Sequence, residues 1–259
     1  MTKLRQMTSN SIRPTLLLLL AIGVSPLSAQ EVLERAIVVP ANVDSLIASE
    51  SRFAAADSVP PPKGKTWFAY SPGKGDILFV AGHATTQMRE GRMKQPDSGT
   101  GSLAVVLNQL RDVPVLYTTY LAPSDPNFYD DNAFKDSLAH ILEIMKPKLV
   151  IDLHASHPYR PYDVDFGTMN GTSYLERRDL WALLTHYLSN EGLERQSWDF
   201  FPAAKNATIT KFVHAKGVPC IQLEINAGWV SAGIDDLHAQ RSAQLLQALL
   251  RFIDAADGK

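Results

Sequence analysis

The chain has 259 residues, 45% of them hydrophobic and 20% charged, with a formal net charge of −2. That length can bury a full core, and the composition is that of a globular domain, not of a disordered chain. The near-neutral balance gives no electrostatic case for nucleic acid or for an anionic membrane surface as partner.

Lys3, Arg5 and Arg13 precede the apolar run Leu16–Leu20 and a small-residue tail that ends in Leu27-Ser28-Ala29. A basic region, a short apolar region and a small-residue cleavage site read as a signal peptide over residues 1–29. The apolar stretch falls short of the roughly 20 residues that span a bilayer. The expectation is an exported protein, periplasmic or extracellular, with no stable membrane span after cleavage near Gln30. Cys220 is the only cysteine, so no intrachain disulfide can form. Its Val-Pro-Cys-Ile-Gln-Leu setting marks it as a small buried hydrophobe.

Residues 30–65 read as an N-terminal extension or linker, with a helix around Asn42–Ala56 and a stiff Val-Pro-Pro-Pro-Lys-Gly-Lys run over 59–65. A catalytic domain is expected over 66–259. Asp76–Ala81 predicts a buried strand ending at Gly82-His83. Residues 84–99 are polar and read as a long loop. Leu103, Val106, Leu107 and Leu110 follow helical spacing, with Ser98 or Thr100 placed to cap it.

Val113–Leu121 predicts a strand, and the loop 122–131 leads to a helix capped by Asn132. That helix buries Phe134, Leu138, Ile141, Leu142 and Met145, and Pro147 stops it. The apolar run Leu149–Leu153 predicts a strand that ends in His154. A helix is expected around Leu175–Asn190, strands over Ala207–His214 and Val218–Ile225, and a last helix from Asp236 to Ala255. Strands alternating with helices give an α/β fold: a three-layer α/β/α sandwich around a mostly parallel, mixed sheet.

Three of the predicted strands end in a ligand-type side chain: His83, His154 and Glu224. As parallel neighbours they would share one rim, and ligands of open α/β sheets bind outside the carboxyl ends of the strands. Two imidazoles and a carboxylate form the usual ligand set of a catalytic zinc, which leaves a position for water. A nearby carboxylate outside that set can take the water's proton. Glu90 and Asp97 follow His83 in its loop. Glu224, between Leu223 and Ile225, is costly to bury unless paired or near a cation. His140, His186 and His238 sit in predicted helices without partners, and His214 precedes a Lys-Gly turn. Neither a Gly-x-Ser-x-Gly elbow nor a phosphate-cradling glycine loop is present, which argues against a serine hydrolase.

The motifs Gly-His (82–83), Arg-Glu-Gly (89–91), Asp-x-Gly-Thr (97–100), Asp-Leu-His (152–154), Asp-x-Asp-x-Gly-Thr (163–168) and Gln-Leu-Glu-Ile-Asn (222–226) occur in that order. Together, over residues 76–226, the chain resembles the N-formylglutamate amidohydrolase family, which is similar in fold to the zinc carboxypeptidases. The resemblance implies a zinc hydrolase that cleaves an amide next to a carboxylate-bearing residue. It implies His83 and His154 as metal ligands and Glu224 as general base. Glu90 would be the acidic ligand, with Asp97 its rival.

Arg160 or Arg89 would pair with a substrate carboxylate, His157 and Tyr159 would donate to the oxyanion, and Asp152 would orient a ligand. Two departures bear on the substrate pocket. Ala-Gly-His-Ala-Thr-Thr replaces the family's Pro-His-Gly-Gly-like loop, and Ala227 stands where an arginine often follows the last motif. Export in turn points to a peptide, an N-acyl amino acid, or a cell-wall or poly-glutamate fragment as substrate. The competing reading is an exported binding protein with a vestigial or structural metal site.

Overall fold

The structure, a computed structural model, describes residues 36–258, and the expected signal peptide lies outside the described residues. Helix α1 (Pro40–Ala56) comes first, then strands β1 (Phe68–Ser71) and β2 (Ile77–Ala81) and the hairpin of β3 (Gln87–Arg89) and β4 (Arg92–Lys94). Helix α2 (Thr100–Arg111), β5 (Val115–Thr118), α3 (Ala133–Met145), β6 (Leu149–Ser156) and β7 (Val164–Gly167) follow. The remainder is α4 (Arg178–Asn190), β8 (Gln196–Trp198), α5 (Ile209–Ala215), β9 (Cys220–Asn226) and α6 (Asp236–Ala256). The main sheet runs β1-β5-β2-β6-β9-β7-β8. Its four central strands, β5, β2, β6 and β9, are parallel, while β1 pairs antiparallel with β5 and β7 antiparallel with β9. The α/β class is as expected.

The central strands are continuous apolar runs because both of their faces are covered. Side chains alternate between the faces. Ile77, Phe79 and Ala81 of β2, Leu149, Ile151 and Leu153 of β6, and Ile221, Leu223 and Ile225 of β9 enter one core, with residues of α2, α4 and α6. Leu78, Val80, Val150 and Cys220 enter the opposite core, with Phe134, Leu138 and Ile141 of α3 and Ile209 and Val213 of α5. Burying each of the Val, Leu, Ile and Phe side chains among these contributes about 1.5–3 kcal/mol. On β6 and β9 this second face turns polar toward the carboxyl ends: Asp152 and His154 follow Val150, and Gln222, Glu224 and Asn226 follow Cys220. The polar end of one face of the sheet is thus the rim on which His154 and Glu224 stand.

Several local expectations change. Residues 209–215 are helix, not strand: Thr208 caps α5 by accepting from the Lys211 amide at 3.1 Å, which outweighs the β-branched Ile209-Thr210 pair. The cap of α2 is Gly99, not Ser98 or Thr100. Its φ is +88°, and a Cβ there would stand 2.1 Å from the Val230 carbonyl oxygen, so only glycine fits. Residues 84–99 contain the β3–β4 hairpin. The segment ahead of β1 is tied down. Ile37 N donates to Gln247 Oε1 on α6 at 2.9 Å, Asp57 accepts from the Thr86 amide and hydroxyl at 2.5 and 3.0 Å, and Val59 O accepts from Leu121 N at 2.9 Å. Among the described residues no helix is long and apolar enough to cross a membrane.

Candidate metal centre

Strands β2 and β6 are hydrogen-bonded neighbours with Val80 opposite Asp152, and β6 sets His154 opposite Glu224 on β9. The three strand ends therefore converge, and His83 follows β2 by two residues. The rings of His83 and His154 meet edge to face with centroids 4.8 Å apart. Asp97 reaches them: its Oδ2 lies 3.4 Å from His83 Nδ1 and 2.8 Å from His154 Nδ1. The ligand atoms of these three residues all lie within 4.8 Å of one another.

Asp97 arrives because the hairpin returns the chain to its start. Its amide donates to the His83 carbonyl at 2.8 Å. The hairpin's turn residues are Glu90 and Gly91, with φ of +52° and +73°, the positive pair that a tight two-residue turn requires. Glu90 is therefore carried to an exposed tip, where its amide donates to the Tyr129 hydroxyl at 3.0 Å. The structure brings Asp97 to the histidines and leaves Glu90 outside.

Each imidazole is oriented from behind. His83 Nε2 lies 2.8 Å from Asp125 Oδ1, and Asp125 also holds Arg89, at 2.7 Å from Nε and 2.5 Å from the terminal nitrogen. His154 Nε2 lies 3.2 Å from both Asp152 Oδ1 and Asn127 Nδ2. Asp152 can do this because residues two apart in a strand share a face, and Thr210 donates to its other oxygen at 3.2 Å. Asp125 had no place in the sequence reading. It follows the carboxyl end of β5, the strand beside β2, and only the sheet order would have pointed to it.

Burial works against charge on His154, but Asp152 and Asp97 outweigh it and hold its pKa well above the ordinary imidazole value. His83 is raised in the same way, burial being overcome by Asp125 and Asp97. Burial likewise opposes ionisation of Asp97, yet hydrogen bonds from both histidines pull its pKa far down. Asp125, against the same burial, is held down to about 2 by His83 and Arg89. With three carboxylates around two imidazoles, the cluster favours positive charge. Two Nδ1 atoms and a carboxylate oxygen converge while both Nε2 atoms are engaged elsewhere. That donor set fits a divalent cation such as zinc.

Glu224 is mostly buried beside the cluster. It accepts from Gln222 Nε2 at 3.0 Å, and burial pushes its pKa up to about 7. Arg160 makes no ion pair with it. The Arg160 guanidinium instead lies 5.4, 5.4 and 4.9 Å from the ring centroids of Tyr159, Phe200 and Phe201, and its buried Nε has no hydrogen-bond partner. His157 and Tyr159 stack on each other with centroids 4.9 Å apart on the exposed loop after β6. His157 lines a cavity of about 560 Å³ with Arg160 and Glu224, and Arg89 lines one of about 510 Å³ with His83 and His154.

The remaining motif residues hold the walls. Asn226 Nδ2 faces the carbonyls of Pro158, Arg160 and Tyr162 at 3.1–3.3 Å, clamping the Arg160 loop. Asp163 accepts from Trp229 Nε1 and from the Arg195 guanidinium. Asp165 accepts from Ser197 Oγ at 2.7 Å and from the amides of Phe200 and Phe201 at 3.1 and 2.9 Å. Gly167 lets the Phe201 carbonyl pass where a Cβ would meet it at 2.5 Å.

Solved structures share the fold. The N-formylglutamate amidohydrolase from Ralstonia eutropha JMP134 superposes with a TM-score of 0.53 at 11% identity, over 74% of this chain and 100% of its own. A gene product of Agrobacterium tumefaciens does so with a TM-score of 0.52 at 12% identity, over 75% of this chain and 97% of its own. The likeness is one of fold alone. No protein-family model matches the sequence, and no curated protein does.

Proposed function

We propose that the protein is an exported zinc-dependent amidohydrolase that cleaves an amide of an N-acyl amino acid or peptide bearing a nearby carboxylate. The observation that carries this reading is the convergence of His83 Nδ1, His154 Nδ1 and Asp97 Oδ2 beside a separate, unligated Glu224. Of the two acids in the loop after His83, we take Asp97 as the ligand on its distance. Bound there, zinc supplies Lewis acidity toward the scissile carbonyl and makes water a competent nucleophile near neutral pH.

Glu224 takes the water's proton and delivers it to the leaving nitrogen. A carboxylate with a pKa raised toward 7 suits both halves of that transfer. Gln222 fixes one of its oxygens, and Glu224 lines both cavities that meet at the cluster. Asp125 and Asp152 hold the ligand imidazoles with Nδ1 toward the metal. Arg160, which has no carboxylate partner of its own, receives a substrate carboxylate. Export is supported by the basic, apolar and small-residue pattern of residues 1–29. The name of the Ralstonia eutropha enzyme supports amide hydrolysis as the reaction class.

The test is Glu224→Gln with zinc measured. The expected outcome is full zinc content with turnover of N-acyl amino acids reduced by about 10²–10⁴-fold. Undiminished turnover at full zinc content would remove Glu224 from the chemistry. Protein that takes up no stoichiometric zinc would remove the metal.

A further inference from the structure

The cleft does not end at the metal centre. Two cavities, of about 510 and 560 Å³, meet there and share Lys94, Asp97, Ala155, Phe201 and Glu224 in their walls. Each is within the range that holds a drug-sized ligand on its own. An N-acyl amino acid would fill one side and leave the other without an occupant.

The charge of the walls has one sign. Apart from Asp97 and Glu224, which belong to the reacting group, no acidic residue among the described residues lines either cavity. The first carries Arg89, Lys94 and Lys205, and the second carries Lys94 and Arg160. Arg89 is offset by Asp125, which leaves the exposed Lys94 and Lys205 as the uncompensated charges of the first side. On the second side Arg160 lies among aromatic rings without a carboxylate. Lys94 stands at the junction, on the hairpin strand that returns the chain to Asp97. A cleft open on both sides of the reacting group, with cations along both, is complementary to a chain of carboxylates and not to a single one.

From this we infer that the substrate is an acidic polyamide which lies across both cavities and is cut within the chain. The inference rests on the hydrolase reading above. In the step, an internal C–N bond breaks and the water oxygen forms the new C–O bond. One water proton goes to the amine nitrogen, and the new carboxyl group ionises. The same chemistry is offered by glutamate joined through its α- or its γ-carboxyl, and the two linkages are separate arms of the test.

The probes are glutamate hexamers of each linkage, acetylated at the amino end and amidated at the carboxyl end, with N-acetylglutamate and a blocked alanine hexamer as controls. Zinc-loaded protein is expected to release internal fragments from at least one glutamate hexamer, at least about tenfold faster than from the alanine hexamer. The double variant Lys94→Glu, Lys205→Glu should raise KM for the cleaved hexamer by about tenfold. Binding gives a readout without turnover. The Glu224→Gln protein should hold a glutamate hexamer at least about tenfold more tightly than N-acetylglutamate, with the advantage shrinking as salt rises.

Cleavage of N-acetylglutamate with both glutamate hexamers untouched would overturn internal cutting and leave the hydrolase reading intact. Equal affinity for the hexamer and N-acetylglutamate would overturn the two-sided site. Failure to cleave any probe would overturn both readings.

Discussion

The two sides of the cleft are built by opposite means. On the β2–β6 side, His83, His154, Asp97, Asp125 and Asp152 form a buried lattice in which almost every polar atom has a charged or hydrogen-bonding partner within 3.4 Å. On the β7–β8 side, Tyr159, Phe200 and Phe201 surround an arginine that no carboxylate holds, and Tyr159 is 73% exposed. On the first side charges buried without partners would be costly, so each residue pairs with the next. The second is carried on loops, held at its root by Asp165 and Asn226 and by Thr168 donating to Asp199. Under the proposed function, chemistry would sit on strand ends and selection on loops, a division that would let the substrate change while the reacting group stays put.

Substitutions on the first side should stop turnover whatever the substrate, and those on the second should redistribute it. The largest effect is expected at the ligands. His154→Ala should abolish stoichiometric zinc, read by metal analysis, and with it all hydrolysis. Retained zinc would detach β6 from the centre.

Asp125→Asn comes next. It leaves His83 and Arg89 without their shared carboxylate and should cost on the order of 3 kcal/mol by denaturant melts at pH 7. The pH dependence follows from the sign of the shift. The Asp125 pKa is held down to about 2, below its unfolded value of about 4, so its contribution is complete above pH 4. It is lost as pH falls from 4 toward 2, and Asp125→Asn should flatten stability over that window. A variant that lost stability as steeply as the parent would show that Asp125 is not the acid-sensitive group.

The smallest effect is expected at Asp165→Ala, which frees the amides of Phe200 and Phe201 and should raise KM several-fold while kcat and zinc content hold. A fall in kcat at unchanged KM would mean that the aromatic wall takes part in the chemistry, and the two sides would no longer be separable.

The sheet was legible because β2, β6 and β9 are apolar runs that end abruptly in His83, His154 and Glu224, and those ends became one rim once the strands were parallel neighbours. The choice between Glu90 and Asp97 was not legible from spacing. It depends on the Glu90-Gly91 turn, which folds residues 87–94 back so that the more distant acid is the nearer one. Residues 164–167 do not read as a strand because Asp163 and Asp165 interrupt the apolar pattern. Both carboxylates are satisfied by Arg195, Trp229 and the backbone at 200–201, partners far along the chain. Segment 209–215 misled in the opposite sense, since its β-branched residues suit a strand while the Thr208 cap makes a helix.

Asp57 and Val59 accept hydrogen bonds from Thr86 and Leu121, in the loops that carry His83 and lead to Asp125. A fragment begun at residue 66 would keep every side chain proposed to bind metal or react and still be a different protein. It would bare the faces of α2 and α6 that α1 covers, and it would leave His83 and Asp125 on unbraced loops. The contacts of residues 37–59 with α6 and with the loops after β2 and β5 therefore favour an amino-terminal boundary before Ile37 for producing the folded protein.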